Sequence, residues 1–129
     1  MIEQWAEAYA LAINASDGSF AAARPLMTEA GLSRMELYTR GDWTRYLPGP
    51  VPIRVTALLP PDERGVVVAE ACAQFRGWSW ASETDRSRER RAVTPVSIGV
   101  VERDGVWLVD GMGDRDGDCA GVEVPDTLW

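Results

Sequence analysis

The sequence predicts an α+β fold, with helices in the first third and an antiparallel sheet in the rest. Three observations carry that reading. Apolar residues recur at intervals of three and four over residues 2–15, the pattern of one buried helix face. From residue 51 the period switches to two, which belongs to strands. Asp104-Gly105 then separates two alternating runs, a strong signal for a two-residue hairpin. The chain has 129 residues, 46% hydrophobic and 26% charged, which suits one domain with a core of its own.

In the first helix Ile2, Trp5, Ala6, Tyr9, Ala12 and Ile13 share a face, with Glu3, Gln4 and Glu7 on the solvent side. Asn14-Ala15-Ser16-Asp17-Gly18 ends it. Ser19 to Ala30 reads as a second helical region interrupted by Pro25, with Gly31 as a left-handed stop. Ser33 and Glu36 have capping-box spacing for a third short helix to about Thr39, and Asp42 can cap one more turn. Pro48-Gly49-Pro50 then forces extended chain.

The first strand places Val51, Ile53, Val55, Ala57 and Leu59 on one side. After the turn at residues 60–65, Val67, Ala69, Ala71, Ala73 and Phe75 share the inner face of a second strand. Glu70, Cys72, Gln74 and Arg76 alternate onto its other face. Small residues on that inner face predict either close helix packing or a hollow. Residues 78–90 read as a polar loop, although Trp78 and Trp80 are too apolar to stand idle in solvent. A third strand aligns Ala92, Thr94, Val96, Ile98 and Val100. A two-residue loop at Asp104-Gly105 would set Arg103 opposite Val106, Glu102 opposite Trp107 and Val100 opposite Val109. The core faces of both strands then agree.

The boundaries drawn are one domain over residues 1–111 and an acidic, irregular tail over 112–129 that ends in Leu128-Trp129. The order of elements resembles the nuclear-transport-factor-2-like (NTF2-like) cone fold. Gln4-Trp5-Ala6-Glu7-Ala8-Tyr9 and the hairpin from Glu102 to Asp110 carry the resemblance. It implies N-terminal helices on a curved antiparallel sheet, with Trp107 packed in the cone. Within that superfamily the chain looks most like actinobacterial mobile-element or conjugation-associated members, which implies assembly with partners. Fold alone decides no chemistry.

The net charge is −7, and residues 101–129 hold eight acidic residues against two arginines. That balance argues against a non-specific nucleic-acid binder, which needs a basic surface. The run Arg86, Arg88, Arg90, Arg91 is interrupted by Asp85 and Glu89 and reads as a solvated loop. No leader-like segment and no membrane-length apolar run is visible, so a cytoplasmic location is expected. Cys72 reads by default as a buried thiol, with a bridge to Cys119 as the alternative.

Catalysis finds little support. The chain lacks histidine and lysine, which removes the usual nucleophilic triads and most zinc ligand sets. Glu102 is the one carboxylate on the predicted inner faces, while Glu70 and Asp110 point outward unless a bulge turns Glu70 in. Tyr9, Tyr38 and Tyr46 read as core tyrosines and Asp42 as a helix cap. Asp114, Asp116 and Asp118 imitate the start of an EF-hand, but Cys119 and Pro125 occupy the positions that need glycine and glutamate. No catalytic, cofactor or metal residue is therefore assigned. Trp78, Trp80, Leu128 and Trp129 are the candidates for docking a protein partner or a second copy. The expected function is a non-catalytic interaction or assembly module. The alternative is a small-molecule binder, or a cofactor-free isomerase- or cyclase-like enzyme, using the interior of the cone.

Overall fold

A computed structural model describes residues 1–38 and 43–129, with Leu37 and Tyr38 described through their backbone. Four antiparallel strands form one sheet: β1 (Ile53–Leu58), β2 (Val67–Arg76), β3 (Ala92–Arg103) and β4 (Val106–Asp114). Their order in space is their order in sequence, β1-β2-β3-β4. Two helices, α1 (Ile2–Asn14) and α2 (Glu29–Tyr38), and a short 3-10 turn at Arg24–Leu26 precede the sheet. The predicted α+β class holds, but the cone does not. The sheet is an open meander with β1 and β4 as its edges and does not close on itself. Trp107, expected inside a cone, is 42% exposed.

The hairpin register is the one the sequence requires, with Arg103 opposite Val106, Glu102 opposite Trp107 and Val100 opposite Val109. Asp104 and Gly105 have φ of 52° and 78°, as a type I′ turn demands. A bulge follows, since Gly99 pairs with Gly111 while Val100 pairs with Val109, which leaves Asp110 as the extra residue. Asp110 accepts a hydrogen bond from the Thr28 hydroxyl at 2.7 Å. The same hydroxyl accepts from the Gly31 amide at 3.0 Å and so caps α2. The Thr28 amide in turn donates to the Val109 carbonyl at 3.0 Å. This junction fastens the helix layer to β4, and it explains a difference from expectation. Thr28, not Ser33, starts the helix, and Gly31 lies inside it instead of ending one.

Between the helices, Asp17 accepts from the amides of Ser19 and Ala21, and this turn sends Phe20 inward. Phe20 holds a left-handed φ of 51°, rare for a bulky residue, and is 1% exposed. Its ring lies 6.5 Å from Tyr9 and 5.3 Å from Trp43, and Trp5 extends the row at 5.9 Å from Tyr9. Burial of that ring offsets a backbone cost of about 1–3 kcal/mol.

Strand β1 departs from simple alternation. A bulge between Val55 and Ala57 sets Leu58 opposite Ala69 and Ala57 opposite Glu70. Val55, Leu58 and Leu59 are 40%, 67% and 43% exposed, so burial is confined to the start of the strand at Ile53. The bulge falls in β1 and not at Glu70, which stays on the face of Cys72 and Gln74.

Strand β2 is buried on both faces. Ala69, Ala71 and Ala73 lie in the core beneath the helices. On the opposite face Cys72 and Gln74 are 1% exposed, and the C-terminal segment is tied down there. Cys72 is disulfide-bonded to Cys119, with Cα atoms 5.8 Å apart, so the alternative reading of the cysteines is the one realised. The Gln74 carbonyl accepts from Arg91 at 2.9 Å, and Arg91 also meets Asp126 at 3.0 Å. Farther on, Arg54 donates to the Glu123 carbonyl, and the Trp129 amide donates to Pro48. Gly49 permits this passage, because a Cβ there would fall on the Thr127 carbonyl.

The bridge spans a sequence separation of 47 residues. Loop-closure entropy assigns such a cross-link about 4 kcal/mol, less any native strain. Reduction, or Cys119→Ser, is expected to lower the unfolding free energy by about 2–4 kcal/mol in urea titration. An unchanged midpoint would show that the segment is held without it.

Candidate ligand pocket

A pocket of 380 Å³ opens between the helix layer and the inner face of the sheet. Tyr9 of α1 and Met35 of α2 face it from one side, and Phe75, Val96 and Met112 of the sheet from the other. Its origin lies in β2 and its neighbours. Ala69, Ala71 and Ala73 are packed in the core and do not line it; the hollow opens past them, at the end of β2, where Gly77 and Gly113 add no side chain to the lining. The volume falls at the small end of the ~300–1,000 Å³ usual for ligand sites.

The rim is polar. Arg76 and Glu89 form an exposed ion pair at 3.4 Å. Thr94 and Asp114 reach the opening from β3 and β4, and both are exposed. Arg45 is half-buried and pinned from one side, its Nε donating to the Ser79 hydroxyl at 2.7 Å and its Nη2 to the Ser79 carbonyl at 2.9 Å. A neighbouring pair of backbone bonds between Tyr46 and Trp80, at 3.1 and 2.7 Å, holds the loops that carry Arg45 and Ser79 together. Arg45 also contributes to lowering the Asp85 carboxyl below the ordinary range, after the Ser87 hydroxyl and amide, which do most of it.

The docking candidates separate. Trp78 is a core residue, 1% exposed, with its indole N–H donating to the Gly49 carbonyl at 3.1 Å. Trp80 is half-buried between Tyr46 at 5.9 Å and the Arg86 guanidinium at 4.9 Å. Leu128 and Trp129 remain 55% and 49% exposed, although the Trp129 indole donates to the Leu47 carbonyl at 2.9 Å. An apolar surface therefore exists, but Trp78 does not belong to it. Nor do these four residues line the pocket.

Among the described side chains Tyr9 is the one tyrosine that reaches the pocket, and it is 3% exposed. Tyr46 pairs with Trp80 instead. Asp42 and the Tyr38 side chain lie outside the described residues. Glu70 and Glu102 do not line the pocket, and Asp110 is engaged by Thr28. Among the described residues no three acidic or thiol groups gather closely enough to hold a metal ion, Asp114, Asp116 and Asp118 included. Arg45 and Ser79 carried no sequence signal. Their meeting depends on loops 34 residues apart.

Gly77 holds the pocket's edge with a φ of 75°, and a Cβ there would lie 2.7 Å from the backbone of Arg90 and Arg91. Gly77→Ala should cost about 1–3 kcal/mol from the left-handed backbone, with the steric contact adding to it. Thermal unfolding checks this, and a neutral substitution would contradict the packing of residues 90–91 over the end of β2.

No family model, no curated protein and no solved structure matches this chain. Together with the open sheet, this overturns the NTF2-like resemblance and the actinobacterial mobile-element assignment drawn from it.

Proposed function

We propose that this domain is a non-catalytic binding module for a small molecule held between its helix layer and its sheet. The observation that carries this reading is the 380 Å³ pocket itself, apolar within and polar at the rim. An apolar body would bury surface against Phe75, Val96 and Met112, and rim groups would fix its orientation. The charged groups at the opening support binding over catalysis. Glu89 is occupied by Arg76, and Asp114 stands in solvent without a basic or acidic partner among the described residues.

The Cys72–Cys119 bridge supports work in an oxidising compartment, where such bonds persist, in place of the cytoplasm expected from the sequence. No described helix is long and apolar enough to cross a membrane.

A second reading, docking of a protein partner, is favoured by exposed apolar residues at two places. Val55, Leu58 and Leu59 lie along one sheet edge, and Leu128 with Trp129 ends the C-terminal segment. On this reading Leu58→Asp and Trp129→Ala would abolish association and leave pocket binding intact.

Thr94 lies at the pocket mouth with its neighbour Val96 on the floor. Thr94→Phe should occlude the entrance and weaken binding of a small apolar fluorophore, N-phenyl-1-naphthylamine, by at least about tenfold, a loss of 1.4 kcal/mol. Fluorescence titration measures it. Equal affinity in both proteins would move the ligand site elsewhere.

A further inference from the structure

We infer that the pocket's ligand carries one anionic group on an apolar body, and that Arg45 is the residue that reads the anion. This rests on the pocket reading above and specifies its ligand class. A guanidinium has five N–H donors. Arg45 commits one on Nε and one on Nη2 to Ser79, so both Nη1 donors and the second on Nη2 remain. Of these, one on Nη1 and the one on Nη2 point out side by side at the end of the fork, the geometry that takes a carboxylate or sulfonate in two parallel hydrogen bonds.

The other charges at the pocket do not compete equally. Arg76 is exposed and already paired with Glu89 at 3.4 Å, so solvent and a carboxylate both weaken its pull on an anion. Asp114 is exposed, so solvent screens its charge and weakens its pull on a cation. Arg45 is half-buried and has no ion-pair partner among the described residues, the arrangement in which a counter-ion gains most. Asp85 feels Arg45 electrostatically, but its carboxylate is engaged by Ser87 at 2.5 Å to the hydroxyl and 3.0 Å to the amide. Ser79 holds the guanidinium in place before any ligand arrives, which reduces the ordering cost of binding. The apolar walls at Tyr9, Met35, Phe75 and Met112 then receive the body of the molecule.

Two fluorophores with one skeleton separate the claims: 8-anilinonaphthalene-1-sulfonate and its neutral counterpart N-phenyl-1-naphthylamine. The folded wild-type chain, with its disulfide intact, should bind the sulfonate at least about tenfold tighter. Raising the salt from 50 to 500 mM should weaken the sulfonate alone. Arg45→Gln should bring the sulfonate to the neutral probe's affinity and leave the neutral probe unchanged. Arg45→Lys, which keeps the charge and loses the fork, should fall between. Equal wild-type affinities, or a preference for the neutral probe, would overturn the ligand class and leave the pocket standing. A sulfonate preference that survives Arg45→Gln would overturn the role of Arg45. Failure of both probes to bind would remove the pocket reading itself.

Discussion

The constraint that organises this molecule is that its second strand must be covered on both faces. In a four-stranded open sheet with two helices, one layer covers one side. The other side of β2 carries Cys72 and Gln74, which would meet water unless the chain itself returned over them. The C-terminal segment does so, by a covalent bond at Cys119 and by the Asp126–Arg91–Gln74 series of polar contacts. Gln74 has a partner at both its polar atoms, its amide nitrogen donating to the Gly77 carbonyl while its oxygen accepts from Arg91. Buried polar groups of this kind are tolerated because each has a partner.

The same strand sets the shape of the inner face. Alanine at three successive inward positions, all fully buried, packs that part of the inner face into the core. Where β2 ends, that packing gives way to the pocket. The arginine that anchors the outer segment, Arg91, lies two residues from Glu89 at the pocket rim. The covering of the outer face and the edge of the pocket thus share one short stretch of chain.

What the sequence made legible follows from how local each cause is. The first helix and the hairpin register were readable because a periodic face and a two-residue turn are set by neighbouring residues. The helix start at Thr28 was not, since its cap depends on Asp110 across 82 residues. The exposed end of β1 was hidden because the alternating pattern assumes a covered face, whereas this edge strand is exposed at every position after Ile53, on both sides of the bulge at Thr56. Trp78 looked like a docking residue because nothing nearby revealed the Gly49 carbonyl waiting for its indole. The cone failed for a similar reason. Strand order and hairpin register can agree with many sheets, and whether a sheet closes is decided by pairings far apart in sequence. The choice between close packing and a hollow was read at the alanines of β2, which prove to be closely packed, while the pocket lies beyond them. Its polar end, Arg45 on Ser79, came from two loops that no pattern connected.

Methionines report directly on whether a ligand enters between the helix layer and the sheet. Of the four, Met35 and Met112 line the pocket, while Met1 and Met27 do not. With ¹³C-methyl-labelled methionine, addition of 8-anilinonaphthalene-1-sulfonate should shift the Met35 and Met112 methyl resonances and leave Met1 and Met27 in place. Shifts confined to Met1 or Met27, or a spectrum that does not change at saturating probe, would contradict the account.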